Sequence, residues 1–468
     1  MKTVNLKKPI TAKWIVREGW RLDAAPFLSG KVEALLALEK LPTTRLADLT
    51  HGHDGGIYNG PQFRRVYVDD PEQGVPFIGS SDMLLADLTR LPLLRRKDAE
   101  SSRLSYLKLQ EGMTLISCSG TIGRTVFCRP DMSGAWSSQD VLKVVPDPAK
   151  VPPGYVYAYL KSRFGAPLVI SGTYGAIIQH LEPQHLHDLP VPRLSAADER
   201  SIHSNIGRAG KLRAESAEFF SLAAQTVARL IKIEAPRNIH EFVTPLISTA
   251  SAKDLIQRFD AHYFNKRALD SRFAWDGHPN MALSDVAEVY IPNIFKRRYA
   301  PDKSFGYPYL TGGDIFTLMP EIKDYLLRPV AEEGRLLLTK GMIVIQDSGQ
   351  VGGLIGSSVI IGAQLDGYAA TNNMVRILAK DAADSGYLFA ILRSEHGRRL
   401  LEREATGTSI PHLDQTRVAT IRIPWPDHAK RRVISEMIEQ AVQLRDKAAA
   451  LDHKAIAEVE SAIGESRG

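Results

Sequence analysis

The stretch Ser195–Glu234 reads SAADERSIHSNIGRAGKLRAESAEFFSLAAQTVARLIKIE and follows Leu189-Pro190-Val191-Pro192. Apolar or small residues recur in it at Ile202, Ile206, Ala209, Leu212, Ser216, Phe219, Ala223, Val227 and Leu230, in steps of three and four. That is the period of one helical face. Asp198 and Glu199 fall in the first turn, where they suit the positive end of the helix dipole, and Pro236 ends the pattern. At 1.5 Å per residue the helix is roughly 60 Å long, a strut as well as a core element. The arrangement returns near the end of the chain. There Ile423-Pro424-Trp425-Pro426 leads into Asp427–Ile463, with the seam Ile434, Met437, Ala441, Leu444, Ala448, Leu451 and Ala455.

The helices belong to a longer repeat. Arg21-Leu-Asp-Ala24 recurs as Arg258-Phe-Asp-Ala261, and Phe63-Arg64-Arg65 as Phe295-Lys296-Arg297, with Tyr67 and Tyr299 two places on. Pro76–Asp82 matches Pro308–Asp314, Gly112-Met113 matches Gly341-Met342, and Gly154-Tyr155 matches Gly386-Tyr387. Gly175 leads to Ile178-Gln179-His180-Leu181 as Gly407 leads to Ile410-Pro411-His412-Leu413. The pairs 63/295, 82/314, 155/387, 181/413 and 192/424 are all separated by 232 positions. Chance matches would not stay collinear at one offset, so the chain is an internal duplication.

Each copy reads as a mixed α/β globule of about 170 residues plus a helix, the size of one domain. The segments are an arm (1–20), a globule (21–194), the first long helix (195–235), a linker (236–257), a second globule (258–426) and the second long helix (427–463). Short β-branched runs predict strands at Leu115–Ser117, Thr125–Cys128, Val141–Val145, Ile343–Gln346, Ser358–Ile361 and Met374–Leu378. Helices are expected over Tyr155–Phe164 and Tyr387–His396.

A chain of 468 residues exceeds one core. A net charge of +6 permits a polyanionic partner without demanding one. Two cysteines fit a reducing cytoplasm rather than a secreted disulfide scaffold. The N-terminus has no apolar core of signal-peptide length, and no run of about 18 apolar residues could span a membrane. A cytoplasmic location is expected.

Catalytic signatures are missing. There is no Asn/Asp-Pro-Pro-aromatic tetrapeptide, no phosphate loop ending in Lys-Ser/Thr and no nucleophile elbow. Gly349–Gly356 is glycine-rich but lies between two expected strands and reads as a tight turn. His51-Gly-His53-Asp54 and the set His180, His185 and His187 lack the spacing of a zinc signature. Cys118 and Cys128 read as buried thiols. No metal site is expected.

Two copies in one polypeptide form a pseudo-dimer, as a reader of two DNA half-sites requires. The copies differ in polar loops: Gly120–Arg124 faces Gly349–Gly353, and Ser137–Asp140 faces Ala370–Asn373. Tyr58, Asn59, Gln62, Arg64 and Arg65 equip one loop, and Asn293, Lys296, Arg297 and Arg298 the other. Arg and Lys hold phosphate or guanine, while Asn and Gln pair with adenine.

The chain resembles the specificity subunit of type I restriction–modification systems. The resemblance is carried by Gly112-Met-x-Leu-Ile-x-x-Ser-Gly-Thr-Ile-Gly123, by Gly407-Thr-Ser-Ile-Pro-His-Leu413 with Ile421-Arg-Ile-Pro-Trp-Pro426, and by the helix after each copy. It implies two tandem target recognition domains whose helices pack as an antiparallel coiled coil and act as a ruler. It implies a non-catalytic subunit without cofactors of its own, bound to double-stranded DNA. Two methyltransferase subunits would carry S-adenosylmethionine, and restriction subunits that translocate and cut DNA would carry ATP and Mg. The residues expected to touch DNA are Arg64, Arg65, Thr121, Arg124, Thr173, Tyr174, Gln179 and His180 in the first copy. In the second they are Lys296, Arg297, Arg298, Gln346, Gln350, Thr408, Ser409 and His412. The competing reading is a duplicated protein-binding scaffold, which the modest net charge also allows.

Overall fold

In a computed structural model the described residues are 11–17, 20, 30–171, 180–230, 249–252, 255, 258–349, 353–407 and 409–465. The chain divides into two compact units, Met1–Ala214 with Ala448–Gly468, and Glu215–Lys447. The repeat Arg21–Ala24 and the linker 236–248 lie outside the described residues.

The first unit contains β1 (Thr43–Arg45), β2 (Ile57–Tyr58), β3 (Tyr67–Val68), β4 (Gly74–Ile78), β5 (Leu93–Arg95), β6 (Thr114–Ser117), β7 (Thr125–Phe127), β8 (Trp136–Ser137), β9 (Val141–Val144) and β10 (Pro190–Pro192). They form two four-stranded sheets, β2-β9-β6-β7 and β3-β5-β4-β8, and a β1-β10 pair. The second unit contains β11 (Asn280–Ala282), β12 (Ala287–Tyr290), β13 (Tyr299–Ala300), β14 (Gly306–Leu310), β15 (Asp324–Leu327), β16 (Ile343–Gln346), β17 (Ser358–Ile360), β18 (Ala369–Ala370), β19 (Met374–Ala379) and β20 (Arg422–Pro424). Its sheets, β12-β19-β16-β17 and β13-β15-β14-β18 with the β11-β20 pair, repeat the first set strand for strand. Even the single parallel contact recurs, Phe77 beside Trp136 in one unit and Tyr309 beside Ala369 in the other. The short β-branched runs of the sequence are therefore strands, each buried on both faces at its centre.

Each expected central helix ends three residues early, and a second helix follows it. Pro153–Lys161 is followed by Gly165–Ser171, and Ser385–Arg393 by Glu395–Arg403. The break falls at Ser162 and Ser394, 232 positions apart. Each serine hydroxyl donates back to the preceding turn, to Tyr159 O at 2.7 Å and to Ile391 O at 2.6 Å. Each then accepts from a new first turn, from Gly165 N at 3.2 Å and Gly397 N at 3.1 Å. Serine competes with the backbone for its own hydrogen bonds and so ends one helix while capping the next. The two glycines are needed for the crossing, since a Cβ would stand 2.1 Å from Tyr159 O at Gly165 and 2.2 Å from Ile391 O at Gly397.

The long helices are Ala196–Leu230 and His428–Glu465. In the first unit Arg213 Nη1 meets Asp452 Oδ2 at 2.5 Å, and Asn205 Nδ2 donates to Glu458 Oε2 at 3.3 Å. One number rises as the other falls, so these helical stretches run antiparallel. Ile202 and Ile206 join a core with Tyr155, Tyr159, Ala455, Val459 and Ile463. In the second unit Ser216 Oγ donates to Ala441 O at 2.7 Å, and Ala223 and Val227 share a core with Tyr387, Ile434 and Ile438. The globules dock on the helices alike. Gly154 N donates to His203 Nδ1 at 3.0 Å, and Tyr387 N to Ser435 Oγ at 3.0 Å. His203 and Ser435 are again 232 positions apart. The fold is mixed α/β, with two sheet-rich domains each followed by a long helix. Among the described residues no helix is long and apolar enough to cross a membrane.

Candidate nucleic-acid interface

The register of the sheets gathers the variable loops at one end. In the second unit Tyr290 faces Arg376 and Gln346 faces Met374, so the end of β12, the start of β19, the end of β16 and the start of β17 lie together. The first unit does the same, with Tyr58 opposite Lys143 and Ser117 opposite Val141. The loops 59–66, 118–124 and 138–140 therefore share one sheet end, and 291–298, 347–349, 353–357 and 371–373 share its counterpart. A further strip joins each cluster, because Ser119 bridges to His180 and Ser348 to His412. Leu181 N donates to Cys118 O at 3.1 Å, and Leu413 N to Asp347 O at 2.7 Å.

The loop carrying Arg64 and Arg65 is anchored by aromatic packing. Phe63 lies edge-on to Phe77 at 6.1 Å and Tyr67 to the same ring at 6.2 Å. Phe295 and Tyr299 pack on Tyr309 at 6.5 and 6.1 Å. Phe63 and Phe295 are half-buried against these rings, while Arg64 and the three cations Lys296, Arg297 and Arg298 are exposed. Arg297 rides 6.0 Å from the Tyr309 ring. Arg65 differs from its twin: its Nη2 donates to Gln139 Oε1 at 2.9 Å and sits 3.5 Å from Asp140 Oδ2, which ties the first loop to the third. Gln139 and Asp140 belong to the diverged loop Ser137–Asp140 read from the sequence, but not to the residues expected to touch DNA.

The strand-connecting loops differ from the sequence-based pairing. Gly123 N donates to Ser117 O at 2.9 Å and Gly356 N to Gln346 O at 3.0 Å. Ser117 N and Gln346 N donate to Arg124 O and Ser357 O, each at 2.9 Å. The glycines have φ of 81° and 75°, a left-handed turn that favours glycine. Thr121-Ile122-Gly123-Arg124 therefore corresponds to Leu354-Ile355-Gly356-Ser357, and not to the glycines from Gly349 to Gly353. The second loop is four residues longer, which shifts the first glycine of the run out of register.

Thr121 is exposed, and its carbonyl accepts from Ser117 Oγ at 2.5 Å. Arg124 is half-buried beside it. Gln346 is buried rather than displayed, its Nε2 donating to Ser348 O at 3.1 Å. Its Oε1 has no partner among the described residues and faces Gly312. Ser409 and His180 are exposed. His412 Nδ1 lies 3.7 Å from Asp347 Oδ2, whose carboxyl burial pushes up. The same position in the first unit is Cys118, a thiol that burial pushes up to about 11 and that therefore stays protonated. Thr173, Tyr174, Gln179, Gln350 and Thr408 lie outside the described residues. Of the remaining histidines, His53 stacks on Tyr106 at 3.9 Å and His185 Nδ1 accepts from Glu182 N at 3.1 Å, both local packing roles.

Beneath each cluster lies a buried cation with no carboxylate partner among the described residues. Lys143 donates from Nζ to Val141 O at 2.9 Å and stands 5.6 Å from the Tyr58 ring. Arg376, at the same register position, reaches Leu336 O, Ala370 O and Thr371 O at 3.2, 3.0 and 3.3 Å, tying β19 to the neighbouring sheet. Burial lowers Lys143 to about 7. Its unfolded value is about 10.4, so between those limits the unfolded chain holds the extra proton and stability rises with pH. The penalty is full below pH 7. Lys143→Met is expected to stabilise the protein by roughly 1–4 kcal/mol at neutral pH. In paired melting curves that advantage shrinks as pH approaches 10; an advantage constant with pH would contradict the assignment.

Residues 276–460 match the family model described as "Type I restriction modification DNA specificity domain". No curated protein matches the chain. Among solved structures, the chain is similar to the type I restriction-modification system S subunit from M. genitalium, at 12% identity, TM-score 0.38, over 91% of this chain and 95% of that one. The HsdS subunit from Thermoanaerobacter tengcongensis is similar at 12% identity and TM-score 0.28, over 91% and 96%. A third, titled for complex assembly and conformational transition of the type I R-M system, is similar at 13% identity and TM-score 0.27, over 90% and 98%. Over residues 276–460, then, the chain is similar to the DNA specificity domain of type I restriction modification, and the resemblance read from its sequence to the specificity subunits of those systems is borne out.

Proposed function

We propose that the chain is a non-catalytic specificity subunit whose two units each read one half of a bipartite DNA site. The observation that carries this is the pair of loop clusters: one backbone register, repeated at the same sheet end, carrying different side chains. A retained frame with diverged polar tips is what two unlike half-sites require. Exposed cations at Arg64 and at Lys296–Arg298 would hold phosphates and set register, while Thr121, His180, Ser409 and His412 would face bases. The long helices would fix the gap and dock two methyltransferase subunits. Those partners would supply S-adenosylmethionine chemistry, and restriction subunits ATP and Mg.

A salt-titrated shift assay of the full chain on random duplex tests the first step. Phosphate contact gives a steep fall of affinity with salt, about 0.9 log units per log unit of salt for each phosphate neutralised. Absence of binding at low salt would favour the protein scaffold.

A further inference from the structure

The two loop clusters differ in one systematic way. Ile294 is 91% exposed and Leu354 is 45% exposed. Both stand on loops at the same sheet end of the second unit, and Ile294 shares its loop with Lys296, Arg297 and Arg298. Their counterparts in the first unit are polar. Gln62 precedes the anchoring Phe63 as Ile294 precedes Phe295, and Thr121 lies two residues before the left-handed Gly123 as Leu354 does before Gly356. Both counterparts are exposed. The polar tips can donate and accept hydrogen bonds; the aliphatic tips can do neither.

An aliphatic tip among cations meets a strongly charged partner with an apolar feature on it. In the major groove of duplex DNA that feature is the C5-methyl of thymine, the one aliphatic group the bases present. We infer that the second unit recognises thymine methyl groups through Ile294 and Leu354, whereas the first unit reads its half-site by hydrogen bonds from Gln62 and Thr121. This rests on the DNA-reading function proposed above.

The test is selection of bound sites from random duplex libraries made with either thymine or uracil, using the full-length chain assembled with its methyltransferase subunits. Uracil pairs as thymine does and lacks only the methyl. The thymine library should yield a two-part site with fixed thymines in one half. Uracil should weaken binding about fourfold for each methyl lost from that half, the worth of one buried methyl(ene), and leave the other half unchanged. The variant I294Q/L354T, which installs the first unit's residues, should bind both libraries equally while keeping the other half-site. Its melting temperature should match that of the parent, since both positions are exposed. Equal recovery of one two-part site from both libraries by the parent would overturn the inference and leave the DNA-reading function standing. So would Ile294 and Leu354 proving to be covered by a protein subunit in the assembled complex. No preferred site from either library would overturn both.

Discussion

Replacing Lys296, Arg297 and Arg298 together by alanine should weaken binding to duplex DNA roughly 10²-fold near 0.15 M salt. Each phosphate contact releases about one counterion, and three such releases are worth about two decades at that ionic strength. The slope of log affinity against log salt should become shallower by nearly three. All three side chains are exposed, so the melting temperature should hardly move. A shift titration at several salt concentrations checks both figures. An unchanged slope with weaker binding would mark the cations as base contacts; unchanged binding would remove this loop from the interface.

Asp452→Ala should cost about 3–5 kcal/mol of stability, the effect of leaving a buried charge without its partner. Arg213 and Asp452 are only 9% and 2% exposed. Arg213 Nε and Nη2 have no other partner among the described residues, so nothing stands ready to take up the charge. A drop of roughly 10 °C in melting temperature is the expected reading. The double change Arg213→Met with Asp452→Leu should recover most of it, because it removes both charges. A single variant as stable as the parent would mean that water reaches the guanidinium. The position also shows how duplicates diverge. Arg445 lies 232 residues after Arg213, yet its Nη2 donates to Ile360 O at 2.7 Å.

The frame of this protein was legible in the sequence because it repeats and because helical and strand periods are strong signals. Ile202, Ile206 and Ala209 are buried along the first long helix, as are Ile434, Ala441 and Ala448 along the second. The strands fell within one or two residues of the expected runs. What escaped were single-residue devices without a period. Ser162 and Ser394 split helices that propensity would continue, and only their hydrogen bonds reveal it. The site was legible as loops but not as individual roles. Arg65 and Arg297 occupy one position in the repeat, yet one is tied to Gln139 and Asp140 while the other is free of any carboxylate among the described residues. Gln346 looks like a base reader in the sequence and is buried. An insertion of four residues misaligned the loops that follow β6 and β16, because sequence alone cannot choose among several glycines, whereas the hydrogen bonds of Gly123 and Gly356 choose at once.

In the proposed function, paired helices hold two readers a set distance apart. Inserting four residues after Ala214 and four after Lys447 lengthens both rods by about one turn, roughly 6 Å, or close to two base pairs. Methylation mapping in cells carrying the complete system reads the outcome. Two unchanged half-sites with a gap wider by one or two base pairs are expected. Altered half-sites with the original gap would contradict the proposed function.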